Sequence, residues 1–300
     1  MLNIPRISSV LATVALESFF FGVYLVVCAT AVFLLLKRRA ESKSANRQIV
    51  VLFGTTALFL VVTGHWMTTI YRFFFAFVTF PVEGQDPMVF YADWAQPTEV
   101  LQTAFLMAAL TIPDTLMVHR LWIIWGYNKK VVIFPLCTLV GLIISSVGVT
   151  YEFSQYSAGN IDWALVADHW IIVDCVFTLC TNIYCTAFMA YRIWRTDKLI
   201  RPLGGPTIMY VLRVMVESAA LAAAWGIFFI IAYGAQSNLR FLVDITPSVV
   251  GALTMLVYMR TGMGWNRAPD GPAVRPIPVS FRHSTEEKTD TAEFKLDSAV

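Results

Sequence analysis

Long apolar runs alternate with short clusters of charge along most of the chain. The run from Ile7 to Leu36 carries one charged residue, Glu17, whereas Lys37–Arg47 carries six. A helix needs about 20 apolar residues to cross a hydrocarbon core. Runs long enough occur at about 10–36, 49–77, 97–125, 131–151, 164–194, 207–235 and 241–260. They are too long and too evenly apolar for barrel strands, and lipid cannot satisfy the backbone of an open sheet. The expected fold class is an all-α integral membrane protein, a seven-transmembrane-helix bundle occupying residues 1–263. Residues 264–300, with their prolines and mixed charge, read as a disordered tail. The first run is about twice the length of a signal-peptide core of 7–15 residues and ends in Lys37-Arg38-Arg39. It is expected to stay in place as the first span.

Composition agrees. The 300 residues are 57% hydrophobic and 14% charged, with a mean hydropathy of +0.65; a soluble domain carries about 25% charged residues. The net charge of +2 gives no reason to expect a nucleic-acid partner. What the charges add is direction. Basic residues gather in the first connection (Lys37, Arg38, Arg39, Lys43, Arg47), the third (Lys129, Lys130), the fifth (Arg195, Lys198, Arg201) and after the last run (Arg260, Arg267). The second connection offers Glu83, Asp86, Asp93 and Glu99, and the fourth offers Glu152, Asp162 and Asp168. Only Arg6, Arg72 and Arg240 oppose the trend. The positive-inside rule then places the N-terminus outside and the C-terminus in the cytosol. The expected setting is the plasma membrane, and the basic inner connections are the expected site of a cytosolic partner.

Six ionisable residues stand where lipid makes them expensive: Glu17, Asp114, Arg120, Asp174, Arg213 and Glu217. Such residues normally face the bundle interior in pairs. A rise of ~1.5 Å per residue puts Asp114 and Glu217 roughly 15 Å from the basic edge, and Arg120 and Arg213 roughly 8 Å. The matched heights predict a charged brace between the third and sixth helices, Arg120 to Glu217 and Asp114 to Arg213. A brace of this kind serves either as a structural lock or as a contact that a ligand loosens. Pro113, beside Asp114, frees a helix carbonyl, and Pro247 does the same in the last helix; both are candidate kinks.

Familiar chemistries leave no trace. The four histidines are not at metal-ligand spacing, and the five cysteines lie in apolar runs without a CxxC pair; they read as small buried residues. No nucleophile elbow, phosphate loop or dinucleotide turn occurs. No metal or cofactor is therefore expected, and an intramembrane hydrolase is a remote alternative. No span contains a lysine, so the chain lacks the attachment point of a retinal pigment. His119-Arg120-Leu121 stands where rhodopsin-like receptors carry an acidic-Arg-Tyr triplet, and the last helix has no Asn-Pro-x-x-Tyr.

The segments ALESFFFGVYLVV (15–27), DTLMVHRLWIIW (114–125), TNIYCTAFMAYRIW (181–194) and RVMVESAALAAAW (213–225) resemble recurring segments of a large group of seven-span membrane proteins from mushroom-forming (basidiomycete) fungi. The resemblance covers the first, third, fifth and sixth helices in order. It implies a seven-helix membrane protein and brings no activity or site residues with it. Two functions stay open. One is a receptor-like sensor with a small-molecule or lipid ligand in an outward pocket. The other is a proton-coupled or small-solute transporter using Glu17, Asp114, Asp174 and Glu217.

Overall fold

The computed structural model describes residues 6–41, 45–79, 90–91, 93–155, 161–200, 209–234 and 241–265. Seven helices follow one another: α1 (Arg6–Glu41), α2 (Ala45–Phe74), α3 (Pro97–Ile124), α4 (Lys129–Ser154), α5 (Ile161–Ile200), α6 (Met209–Gly234) and α7 (Phe241–Trp265). All seven are long and apolar enough to cross a membrane. Among the described residues there is no strand. The expected tail lies outside the described residues beyond Trp265, where α7 ends.

Helices α1 and α5 overrun their apolar stretches. At 36 and 40 residues they are roughly 54 and 60 Å long, well beyond a core of about 30 Å. Lysine, arginine and glutamate are good helix formers, so a helix need not stop where the apolar run does. The last turn of α2 widens into a π-helical segment, Phe75–Thr79. The α3–α4 corner shows a tight local stop. Gly126 takes φ +62°, its N–H donates to the Ile123 carbonyl (3.0 Å), and the Tyr127 N–H donates to Trp122 (2.9 Å). This is the pattern that closes a helix on a left-handed glycine. The Asn128 side chain then accepts from the Lys130 N–H and caps α4.

Helix α1 packs on α2 and α7; α2 also meets α3; α3 meets α4, α5 and α7; α4 meets α5; α5 meets α6; and α6 meets α7. The bundle is thus a closed ring with α3 drawn inward. Small residues permit the closest approaches, as expected where helices pack without water. A Cβ at Gly251 of α7 would stand 2.9 Å from Tyr24 Cε2 of α1. On α4, Cβ atoms at Gly141 and Gly148 would stand 2.8 and 2.9 Å from the Phe177 and Trp170 rings of α5. The main core lies between α1, α2, α3 and α7, around Phe21, Tyr24, Leu58, Val62, Leu116 and Met255.

Large apolar side chains cover the outside as well. Phe19, Phe33, Phe53, Leu60, Ile183 and Ile231 are all more than 60% exposed. On a soluble monomer such a belt would be an association surface; around a ring of seven apolar helices it suits lipid. The fold suggests an integral membrane protein. One expectation about the cysteines changes: Cys28 and Cys185 are buried, but Cys137 and Cys180 are exposed on the outer faces of α4 and α5. An apolar neighbourhood in sequence means burial only when the bundle, rather than lipid, supplies the neighbours.

Candidate functional site

The six ionisable residues singled out within the apolar runs do not form one network. They fall into three separate groups, and among the described residues no hydrogen bond or ion pair joins one group to another.

The first group fills the end of the bundle where α1 begins and α2 ends, here called the acidic end after its connections. Glu17 of α1 is fully buried, and so is His65 of α2. His65 Nδ1 and Glu17 Oε1 share a hydrogen bond of 2.8 Å. Thr69 Oγ1, one turn along α2, donates to the same oxygen at 3.3 Å. Gln102 of α3 donates to Thr69 Oγ1 (3.2 Å) and to Asp244 Oδ1 of α7 (3.0 Å). Arg72 Nη1 in turn donates to Gln102 Oε1 at 2.8 Å and forms an ion pair with Glu99. Four helices contribute to one hydrogen-bonded chain. It begins at half-buried Glu99 and ends at Glu17, which no solvent reaches. Aromatics close it from above: Arg72 lies 5.8 Å from the Phe90 ring centroid and 5.5 Å from that of Tyr91. Burial pushes the Tyr91 hydroxyl up to about 12 against the pull of Arg72.

Helix periodicity explains the assembly. His65, Thr69 and Arg72 recur at four- and three-residue spacing, so they share one face of α2. Trp66 stacks on Phe21 of α1 at 4.5 Å and donates its indole N–H to Ser18, which sets α1 at the height where Glu17 meets His65. Glu17 Oε2, His65 Nε2 and Arg72 Nε remain buried without a hydrogen-bond partner.

The second group joins α3, α4 and α5. Ser145 and Ser146 donate to Asp174 Oδ1 at 2.8 and 3.0 Å, and Ser146 shares a 3.4 Å contact with Thr111. Asp114 is buried close to Asp174 and Thr178. Its face of α3 continues into Val118 and Leu121, which pack on Cys185 and Met189 of α5.

The third group replaces the expected brace. Glu217 of α6 pairs with Arg260 of α7 at 2.7 Å, the two side chains being 52% and 31% exposed. Arg213 is exposed on α6. Arg120 stacks over the Tyr258 ring of α7 at 3.7 Å from its centroid. Neither Arg120–Glu217 nor Asp114–Arg213 forms. The reason is lateral: α6 packs on α5 and α7, and a cavity of about 70 Å³ lies between the α3 stripe Pro113–Met117–Arg120 and the α6 stripe Met215–Ser218–Ala219–Ala222. Equal height does not bring two helices together when a gap separates them.

Pro113 and Pro247 lie inside continuous helices, and so does Pro135 of α4. Pro113 lines the cavity. Among the described residues no three His, Cys, Asp or Glu side chains gather as metal ligands do.

This chain matches no family model, no curated protein and no solved structure.

The apolar pattern does not single out His65 and Thr69, which bond to Glu17, or Gln102 and Asp244, which extend the chain from Thr69. A signal existed. Glu17 near the start of α1 and His65 near the end of α2 sit at similar heights in an antiparallel hairpin, and the depth matching applied to α3 and α6 would have paired them. Arg72, which opposed the charge trend, is explained by its ion pair with Glu99: it is an internal group and not an orientation signal.

Proposed function

We propose that this chain is a receptor-like sensor of the plasma membrane, with its N-terminus outside and its basic connections toward a cytosolic partner. The reading rests on one observation, the seating of α6. Only 11% of the residues in its apolar stretch are buried, against 22–50% in the other six helices. A cavity separates it from α3, and a half-exposed ion pair, Glu217–Arg260, ties it to α7. A helix held this way can move relative to α3 without opening the core. The rest of the bundle is fastened: the acidic-end chain binds α1, α2, α3 and α7, and Asp174 binds α4 and α5. Input belongs at the acidic end, where an aromatic hollow lined by Tyr71, Phe75, Phe90 and Pro97 adjoins the Arg72–Glu99 pair; a small molecule or lipid is the fitting ligand class. Output belongs at the basic end of α6. The resemblance to the fungal seven-span group is consistent with this architecture and adds no mechanism.

The test is hydrogen–deuterium exchange on the full chain in lipid nanodiscs. Glu217→Gln is expected to raise exchange across Met209–Gly234 while α7 stays protected. Unchanged exchange in α6 would sink the proposal. A proton-coupled carrier is the second reading, favoured by the buried, half-satisfied carboxyls of Glu17 and Asp114. It predicts pH-dependent uptake by proteoliposomes that Glu17→Gln abolishes.

A further inference from the structure

Helix α6 turns charge toward the outside of the bundle. Arg213 and Glu217 are both exposed, four residues apart, and the exposed residues Ala220 and Ala224 continue the line. Spacings of four, three and four residues keep these side chains on one helix face. The opposite side of α6 carries its buried residues, Val214, Ser218 and Ala219, and α6 packs on α5 and α7. Arg213 opens the apolar stretch Arg213–Ala232, so Glu217 lies about 6 Å inside it. The Glu217 side chain is 52% exposed there. In a bilayer that exposed part meets hydrocarbon, a costly setting for a charge.

The tie to Arg260 does not use up Glu217. A carboxylate offers about four acceptor sites, and the bond from Arg260 Nη1 falls on Oε2. Room remains for a second cation on the outer side. Arg213 makes no ion pair among the described residues. Its own helix offers Glu217, but arginine ahead of glutamate is the less favourable order along a helix, and the two do not pair here. The outer face of α6 thus holds an unpaired base and a half-engaged acid, one turn apart.

We propose that this face is where two copies of the chain meet, α6 against α6, about a two-fold axis along the membrane normal. Copies inserted in the same direction hold equal residues at equal heights. Arg213 of each copy then lies one turn from Glu217 of the other, within an arginine's reach, and the ion pairs are reciprocal. A surface with one base and one acid on the same stripe is complementary to itself, as a two-fold interface requires. A different protein would have to present its own acid and base at these heights; a second copy does so by symmetry. Ala220 and Ala224 let the backbones approach. Helices that touch through small residues four apart cross at about −40°. At that angle the copies splay apart beyond Ala224 and leave Ile231 on lipid. The inference goes beyond the sensor proposal and does not need it: copies can pair through the outer face of α6 whether or not α6 moves against α3.

The experiment is dilution of the full chain in lipid. Copies carrying a donor or an acceptor dye are reconstituted together in phosphatidylcholine vesicles at falling protein-to-lipid ratio, and energy transfer is read. Wild type is expected to follow the dilution curve of a dimer. Ala224→Leu enlarges a side chain that a single copy points away from the bundle. It should keep the melting temperature and weaken association about tenfold. Arg213→Glu and Glu217→Arg should each weaken association too, because each alone sets like charges across the axis. Mixing donor-labelled Arg213→Glu with acceptor-labelled Glu217→Arg should restore transfer, since acid again meets base between copies and neither variant holds an acid–base pair at these positions within one chain. Three outcomes would overturn the proposal: wild-type transfer no greater than random proximity gives at the same density, Ala224→Leu associating as tightly as wild type, or folded charge variants that transfer no more together than apart. Ala224→Leu decides the matter where a charge variant fails to fold. Because transfer is read without reference to α6 exchange, its failure is distinguishable from failure of the sensor reading.

Discussion

Helices α6 and α7 are neighbours, similar in length and both apolar, yet they live in different surroundings. Half of the apolar stretch of α7 is buried in the bundle, against 11% for α6. Helix α7 carries Asp244, Thr246, Pro247 and Ser248 in its first two turns and buries the last three. Helix α6 is richer in alanine, isoleucine and phenylalanine, and of these only Ala219 is buried, with Ile231 65% exposed. The more apolar helix is the less buried one. In water that would be a contradiction; in lipid it is the ordinary result, because hydrocarbon solvates an apolar face as well as a protein core does. Polar side chains are what must turn inward, and their partners decide which helix sits at the centre.

The contrast can be broken by substitution. The largest effect is expected at the polar core that holds α7 to α1 and α2. Glu17→Leu strands His65 and Thr69, and removing one partner of a buried pair costs about 3–5 kcal/mol. The double variant Glu17→Leu/His65→Leu should recover much of that loss in thermal melts of the detergent-solubilised protein. A double variant less stable than the single would show that the pair is not the unit described here. Next comes the seat of α7 on α1. Gly251→Leu drives a side chain into Tyr24, and overpacking of this kind costs about 1–3 kcal/mol; a wild-type melting temperature would refute the close approach.

On α6 the effects shrink. Arg260→Gln removes a partly exposed ion pair and should lower stability by no more than about 1 kcal/mol. It should nevertheless increase hydrogen exchange in α6 as Glu217→Gln does, since either change cuts the same tie. Smallest of all, Ile231→Ala on the outer face should stay within about 0.5 kcal/mol of wild type. A loss of several kcal/mol there would mean that α6 is covered by protein and that its contrast with α7 is false.

Much of the fold could be read along the chain. Seven helices long and apolar enough to cross a membrane overlap the seven apolar runs, and α3 and α7 start at Pro97 and Phe241. The site was only half legible. Glu17, Asp114 and Asp174 are buried as their cost in lipid requires, but the brace between α3 and α6 was misjudged. The error has a physical source. Rise per residue converts sequence into height, so Arg120 and Glu217 could be placed at neighbouring levels. Nothing in the rise says that α6 stands behind a cavity, or that Arg260 is nearer to Glu217 than Arg120 is.

Side-chain hydropathy and charge act residue by residue, and they are written in full along the chain. They account for seven helices, for an acidic and a basic end, and for the need of every interior carboxyl to find a partner. Partnership itself is a property of faces that meet, and it arises only when the ring of helices closes. Closure put Tyr24 against Gly251, His65 on Glu17 and Tyr258 under Arg120, and it left α6 on the rim. A hydrogen bond needs two groups within about 3 Å, and which residues come that close is settled by packing around the whole bundle.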